Sequence, residues 1–147
     1  MSLIFKTNTG SLVDIGVLIL RIGISFGFIW AGIGKVSDPA GFGMMLQNMV
    51  GIQSEMATNM AMLIGSLELI SGILILLGLL TRPSALFQIF VLIGAMVMFG
   101  FDFTAGPAIW KDPSMLGLAI MLVLFGSGKI GVDNIIAKRF NSSYKYK

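Results

Sequence analysis

Apolar positions in this chain fall in long, nearly unbroken runs, without the spaced stripes of a soluble amphipathic helix. Runs of about 18 or more apolar residues predict transmembrane helices. The first covers 12–34, from Leu12 to Gly34, and is interrupted only by Asp14 and Arg21. The second covers 59–80, with Glu68 as its one charge, and the third covers 83–101 with none. The fourth, 113–127, starts at Asp112-Pro113 and is apolar to Phe125; Gly126-Ser127-Gly128 then blurs its end before a further apolar stretch, Ile130 to Ala137. Pro39, Pro83 and Pro113 each stand where a helix should begin, a position at which proline forfeits no hydrogen bond. Thr81-Arg82-Pro83 leaves room for only a tight turn, so spans two and three should form an antiparallel hairpin. Between spans one and two, residues 39–49 carry Phe42, Met45, Leu46 and Met49 at i, i+3, i+4 and i+7 behind a capping Asp38. The expectation is an all-α integral membrane four-helix bundle, one domain over 1–147, with a short extra interfacial helix.

Composition strengthens this reading. The chain has 147 residues, 56% hydrophobic and 12% charged, against about 25% charged in soluble domains. A soluble fold could not cover so much apolar surface. Without cysteine there is no disulfide, thiol catalysis or Cys-ligated metal, and without histidine no imidazole base or His-ligated haem. No metal site and no nucleic-acid partner are expected; the net charge of +3 reads instead as a topology signal. Lys6, Arg82, Lys129, Lys138, Arg139, Lys145 and Lys147 fall on one side of a four-span chain, and only Lys35 and Lys111 on the other. That bias places both termini in the cytoplasm. The first run is too long for a signal peptide, contains Arg21 and lacks a clear cleavage site. The basic, aromatic tail 137–147 suits anionic headgroups.

Two charges stand out. A lone ion in mid-span costs about 2.5–3.5 kcal/mol on insertion scales, so Arg21 and Glu68 need partners. If spans one and two begin level at residues 12 and 80, the two lie roughly 13 and 18 Å deep. An arginine side chain spans that gap, so the expected arrangement is an Arg21–Glu68 pair. Its role stays open between a bridge that fixes helix register and the wall of a polar ligand pocket. Asp14, Leu18, Ser25, Phe28, Gly32 and Lys35 share the Arg21 stripe. Gly16, Gly23, Gly27, Ala31 and Gly34 form a smooth stripe suited to close packing. Gln88 needs a partner across the bundle. Lys35, Asp38, Asp102, Trp110, Lys111 and Asp112 mark the outer mouth, and Arg82, Lys129 and Asp133 the inner one.

Three segments carry a resemblance. Leu20-Arg21-Ile22-Gly23 with Phe28 through Lys35 and Asp38-Pro39, then Glu68 through Gly72 with Leu76 through Ala85, and finally Gly126 through Asp133 together resemble the DoxX family of small four-helix membrane proteins. Gly131 stands where that family commonly has serine. The resemblance implies a bundle in the cytoplasmic (inner) membrane and an association with quinone-linked redox chemistry, and it marks Arg21, Lys35, Glu68, Arg82 and Asp133 as the recurrent polar positions. It does not settle whether the chain is itself an enzyme. Since no thiol or imidazole is available, redox work must involve a diffusible quinone or partner subunits. The leading expectation is a subunit or accessory protein of a membrane redox complex, with the lipid bilayer and other membrane subunits, or copies of itself, as partners. The alternatives are a non-catalytic scaffold or assembly factor, and a small transporter; the charge bias and a bridging Arg21 both disfavour the last.

Overall fold

The structure, a computed structural model, describes residues 11–99 and 107–144. Those residues form six helices and no strand: α1 (Ser11–Ser37), α2 (Pro39–Val50), α3 (Ser54–Leu77), α4 (Thr81–Phe99), α5 (Pro107–Phe125) and α6 (Val132–Tyr144). Among the described residues, Leu12–Ser37, Ser54–Leu77 and Thr81–Met98 are long and apolar enough to cross a membrane. The outside of the helices is itself apolar, with Phe26, Trp30, Leu63, Phe90, Val97 and Leu124 all well exposed, a surface suited to lipid and not to water.

Local signals account for the ends. Asp38 accepts a hydrogen bond from the Gly41 amide at 2.9 Å, with Pro39 in the first turn of α2. α3 ends on Gly78, whose φ of +70° is left-handed; its amide donates to Ile75 O, and that of Leu79 to Leu74 O. Two expectations about where helices begin change. Pro113 lies inside α5 instead of starting it, because α5 reaches back to Pro107. The tail contains a helix, α6, from Val132.

α1 packs on α3, α3 on α4, α4 on α5 and α5 on α1, while α2 lies across α3. Ile24, Phe28, Ile75, Ala85, Leu92, Ala119 and Leu122 fill the shared interior. Leu46 of α2 forms a second cluster with Ala57 and Ala61 of α3. The most extensive contact is between α1 and α3. A Cβ at Gly32 would lie 2.6 Å from the Leu69 amide nitrogen, and one at Gly72 2.9 Å from Ile29 Cγ1. These glycines set an antiparallel register in which Phe28 and Ile29 face Gly72, and Lys35 faces Gly65. The expected packing stripe is not the one used: Gly16, Gly23 and Gly34 have open space where a side chain would be, and Gly27 meets Met115.

Candidate functional site

The register separates the two charges that the sequence pairs. Arg21 is 2% exposed and donates from Nε to Ile75 O at 2.8 Å, from Nη2 to Leu76 O at 2.6 Å and from Nη1 to Ser127 O at 3.1 Å. The carbonyls at a helix C-terminus lack intrahelical donors and carry partial negative charge. A guanidinium, with five donors, is suited to several of them at once. Arg21 therefore closes the end of α3 onto the turn after α5. The expected Arg21–Glu68 pair is not formed, because span ends are not level: α3 stops at Leu77 while α1 runs on beyond Arg21 toward Ser11. Ile75 and Leu76 are about 10 and 12 Å along α3 from Glu68.

Around Arg21 three segments interlock. A Cβ at Gly78 would lie 2.6 Å from Arg21 Nη2 and 2.7 Å from Gly131 Cα, so both the backbone and the available space require glycine there. Asp133 receives the amides of Leu80 at 2.8 Å and Thr81 at 3.0 Å, thereby capping α4 from a distant segment, and its own amide donates to Gly78 O. Lys129 holds Asp14 through its amide and its ammonium, and Arg82 donates to Leu124 O at 3.4 Å. Beside it, Val17, Leu20, Leu122 and Phe125 line a smaller, apolar cavity of about 210 Å³ with no charged side chain in its wall. This end is a fastening.

Glu68 has a different partner. Lys35 Nζ lies 2.6 Å from its Oε2, with the lysine side chain 16% and the glutamate 5% exposed. Lys35 also sits 4.8 Å above the Phe42 ring of α2, a cation–π distance. The pair forms part of the wall of a cavity of about 710 Å³, together with the Lys111–Asp112 pair, 3.2 Å apart, and the apolar side chains of Phe28, Phe42, Leu46, Leu92 and Met115. That volume and an apolar wall with few convergent polar groups are those of a small-molecule site. Arg21, Ser25, Asp38, Arg82, Gln88 and Asp133 are not among its lining residues.

Of those, Gln88 is fully buried and donates to Ser71 Oγ at 3.5 Å, which in turn donates to Glu68 O. Ser25 Oγ and Gln88 Oε1 are buried without a hydrogen-bond partner. Asp102 and the side chain of Trp110, expected at the outer mouth, lie outside the described residues, as do Lys6, Lys145, Tyr146 and Lys147. The sequence did not single out Lys35 as the partner of Glu68, although Lys35 shares the partly polar stripe of α1 and was expected at the outer mouth. The aromatic and methionine contributions from α2, α4 and α5 carried no advance signal.

The three interlocked segments are those that carry the family resemblance, and a family comparison covers the first two: residues 16–100 match the DoxX family. The chain belongs to the DoxX family. Its similarity to known proteins runs nearly full length. It is 31% identical over 130 residues to the inner membrane protein YqjF of Escherichia coli, covering 86% of this chain and 96% of that one. It is 33% identical over 125 residues to the inner membrane protein YphA of the same organism, covering 80% and 87%. It is 31% identical over 136 residues to the uncharacterized membrane protein Rv3486 of Mycobacterium tuberculosis, covering 84% and 82%. No solved structure matches. The chain is thus a DoxX-family membrane protein, with a charged, apolar-walled cavity at Lys35–Glu68 and a fastening at Arg21.

Proposed function

We propose that this protein is an inner-membrane subunit or accessory protein of a quinone-linked redox complex, and that the cavity beside Lys35 and Glu68 receives the quinone head. The observation that carries the reading is the lining: nearly all apolar, with an ammonium and a carboxylate 2.6 Å apart in its wall. Those groups fit such a ligand. A quinone supplies two-electron, two-proton redox chemistry. Lys35 would donate a hydrogen bond to a carbonyl oxygen and hold developing negative charge there. Glu68 would accept or return a proton at the same oxygen. Aromatic and aliphatic walls would keep bulk water from the head. Electrons must come from a partner subunit, since the chain has neither cysteine nor histidine.

In this reading the four long helices form a transmembrane bundle. α2 lies at the interface over the cavity, and both termini face the cytoplasm by the excess of Lys and Arg at the Arg21 end. The names of the Escherichia coli relatives support the inner membrane as the location. The test is organic extraction and identification of what co-purifies with the protein from native membranes. A quinone present in stoichiometric amount, and lost in Glu68→Gln and Lys35→Met, is expected. Protein free of quinone, and without affinity for added quinone in lipid, would overturn the reading.

A further inference from the structure

The cavity is not sealed on all sides. Phe26 and Trp30 of α1 and Phe90 of α4 line it, yet are 69%, 73% and 72% exposed. Residues that belong both to a cavity wall and to the outer surface form its rim. Gly94, one turn from Phe90, also lines the cavity, and a Cβ added there meets nothing within 4 Å. The position of this rim along the helices decides what it faces. Phe90 stands at the middle of Thr81–Phe99, and Phe26 two residues past the middle of Ser11–Ser37. In spanning helices that is within the hydrocarbon, more than two turns from either end of each helix. The polar end lies elsewhere: Lys35 is nine residues beyond Phe26, roughly 13 Å along α1.

We propose that this opening is a lateral portal to the lipid, and that the cavity takes a membrane-dissolved, single-tailed amphiphile whose head rests at Lys35–Glu68 and whose tail leaves between Phe26–Trp30 and Phe90–Gly94. The proposal rests on the quinone reading for the head, and adds the tail. A water-soluble ligand would gain nothing from a mid-membrane opening. A two-chain phospholipid carries a charged headgroup, whereas both ammonium–carboxylate pairs in this wall are already internally neutralised. A neutral, hydrogen-bonding head on one apolar chain fits both ends.

The test is equilibrium binding to the protein in lipid nanodiscs, corrected for partitioning into lipid. Three probes are used: a tailless benzoquinone, the same head with a decyl chain, and a decyl phenol. The decyl quinone is expected to bind about ten times more tightly than the tailless one, and Gly94→Leu to abolish that advantage. If Gly94→Leu does not fold, a photoreactive group at the chain end of the decyl quinone gives the answer on the unaltered protein. It should label the Phe26–Trp30 and Phe90–Gly94 segments, and excess unlabelled decyl quinone should suppress the labelling. Equal binding of the two quinones, or labelling only elsewhere, would overturn the portal and leave the quinone site standing. Portal-dependent binding of both decyl compounds, with no preference for the quinone head, would overturn the quinone reading and keep the portal. No binding by any probe would overturn both.

Discussion

Among the described residues two cations lie inside this molecule, Arg21 and Lys35, and the chain satisfies them in different ways. Arg21 hydrogen-bonds to carbonyl oxygens, at the end of one helix and the turn after another, with the charge of Asp133 nearby. Lys35 meets a carboxylate in the wall of a cavity. A guanidinium bound by three carbonyls joins three pieces of chain. An ammonium on a carboxylate next to open volume keeps donors and acceptors within reach of something else. Charge inside a membrane protein is a default pointer to function, but its surroundings decide which charge the pointer fits. At the Arg21 end the charge holds helices together. At the Lys35 end it faces a space.

The largest effect should come from breaking the fastening. Arg21→Leu removes three hydrogen bonds from a charged donor and is expected to destabilise by about 3–5 kcal/mol, read as a lower unfolding midpoint or loss of folded protein from the membrane. Gly78→Ala should follow at about 2–4 kcal/mol, since it forces a side chain into a left-handed backbone and against Arg21 and Gly131. Glu68→Gln inverts the pattern. It should cost about 1–2 kcal/mol, because an amide still accepts from Lys35, yet remove ligand binding measured on the folded fraction. Asp14→Asn marks the lower limit: Lys129 is mostly exposed there, and no change in unfolding midpoint or in ligand binding is expected. If Arg21→Leu left stability intact but removed ligand binding, the two ends would have to exchange roles.

Much of the helical architecture was legible because apolar runs and their proline and glycine punctuation are local signals. Asp38 as a cap and Gln88 as a residue reaching across the bundle are of this kind. The register between α1 and α3 was not. It depends on Gly32, Gly65 and Gly72 permitting one close approach and not another, and on α3 ending at Leu77, short of the level assumed from the apolar runs. An offset of two turns moves Arg21 from Glu68 to the α3 terminus. The polar stripe of α1 did contain Lys35, so the correct partner was visible but unranked. The cavity could not be read at all, since its walls come from α1, α2, α3, α4 and α5, and no period along one segment reports that convergence.

Two double-mutant cycles on unfolding in lipid, one joining Glu68 to Lys35 and one joining Glu68 to Arg21, test the central claim most directly. The account predicts a coupling of about 1 kcal/mol or more for Lys35 with Glu68, and none beyond error for Arg21 with Glu68. Strong coupling of Glu68 to Arg21, with Lys35 independent, would contradict it.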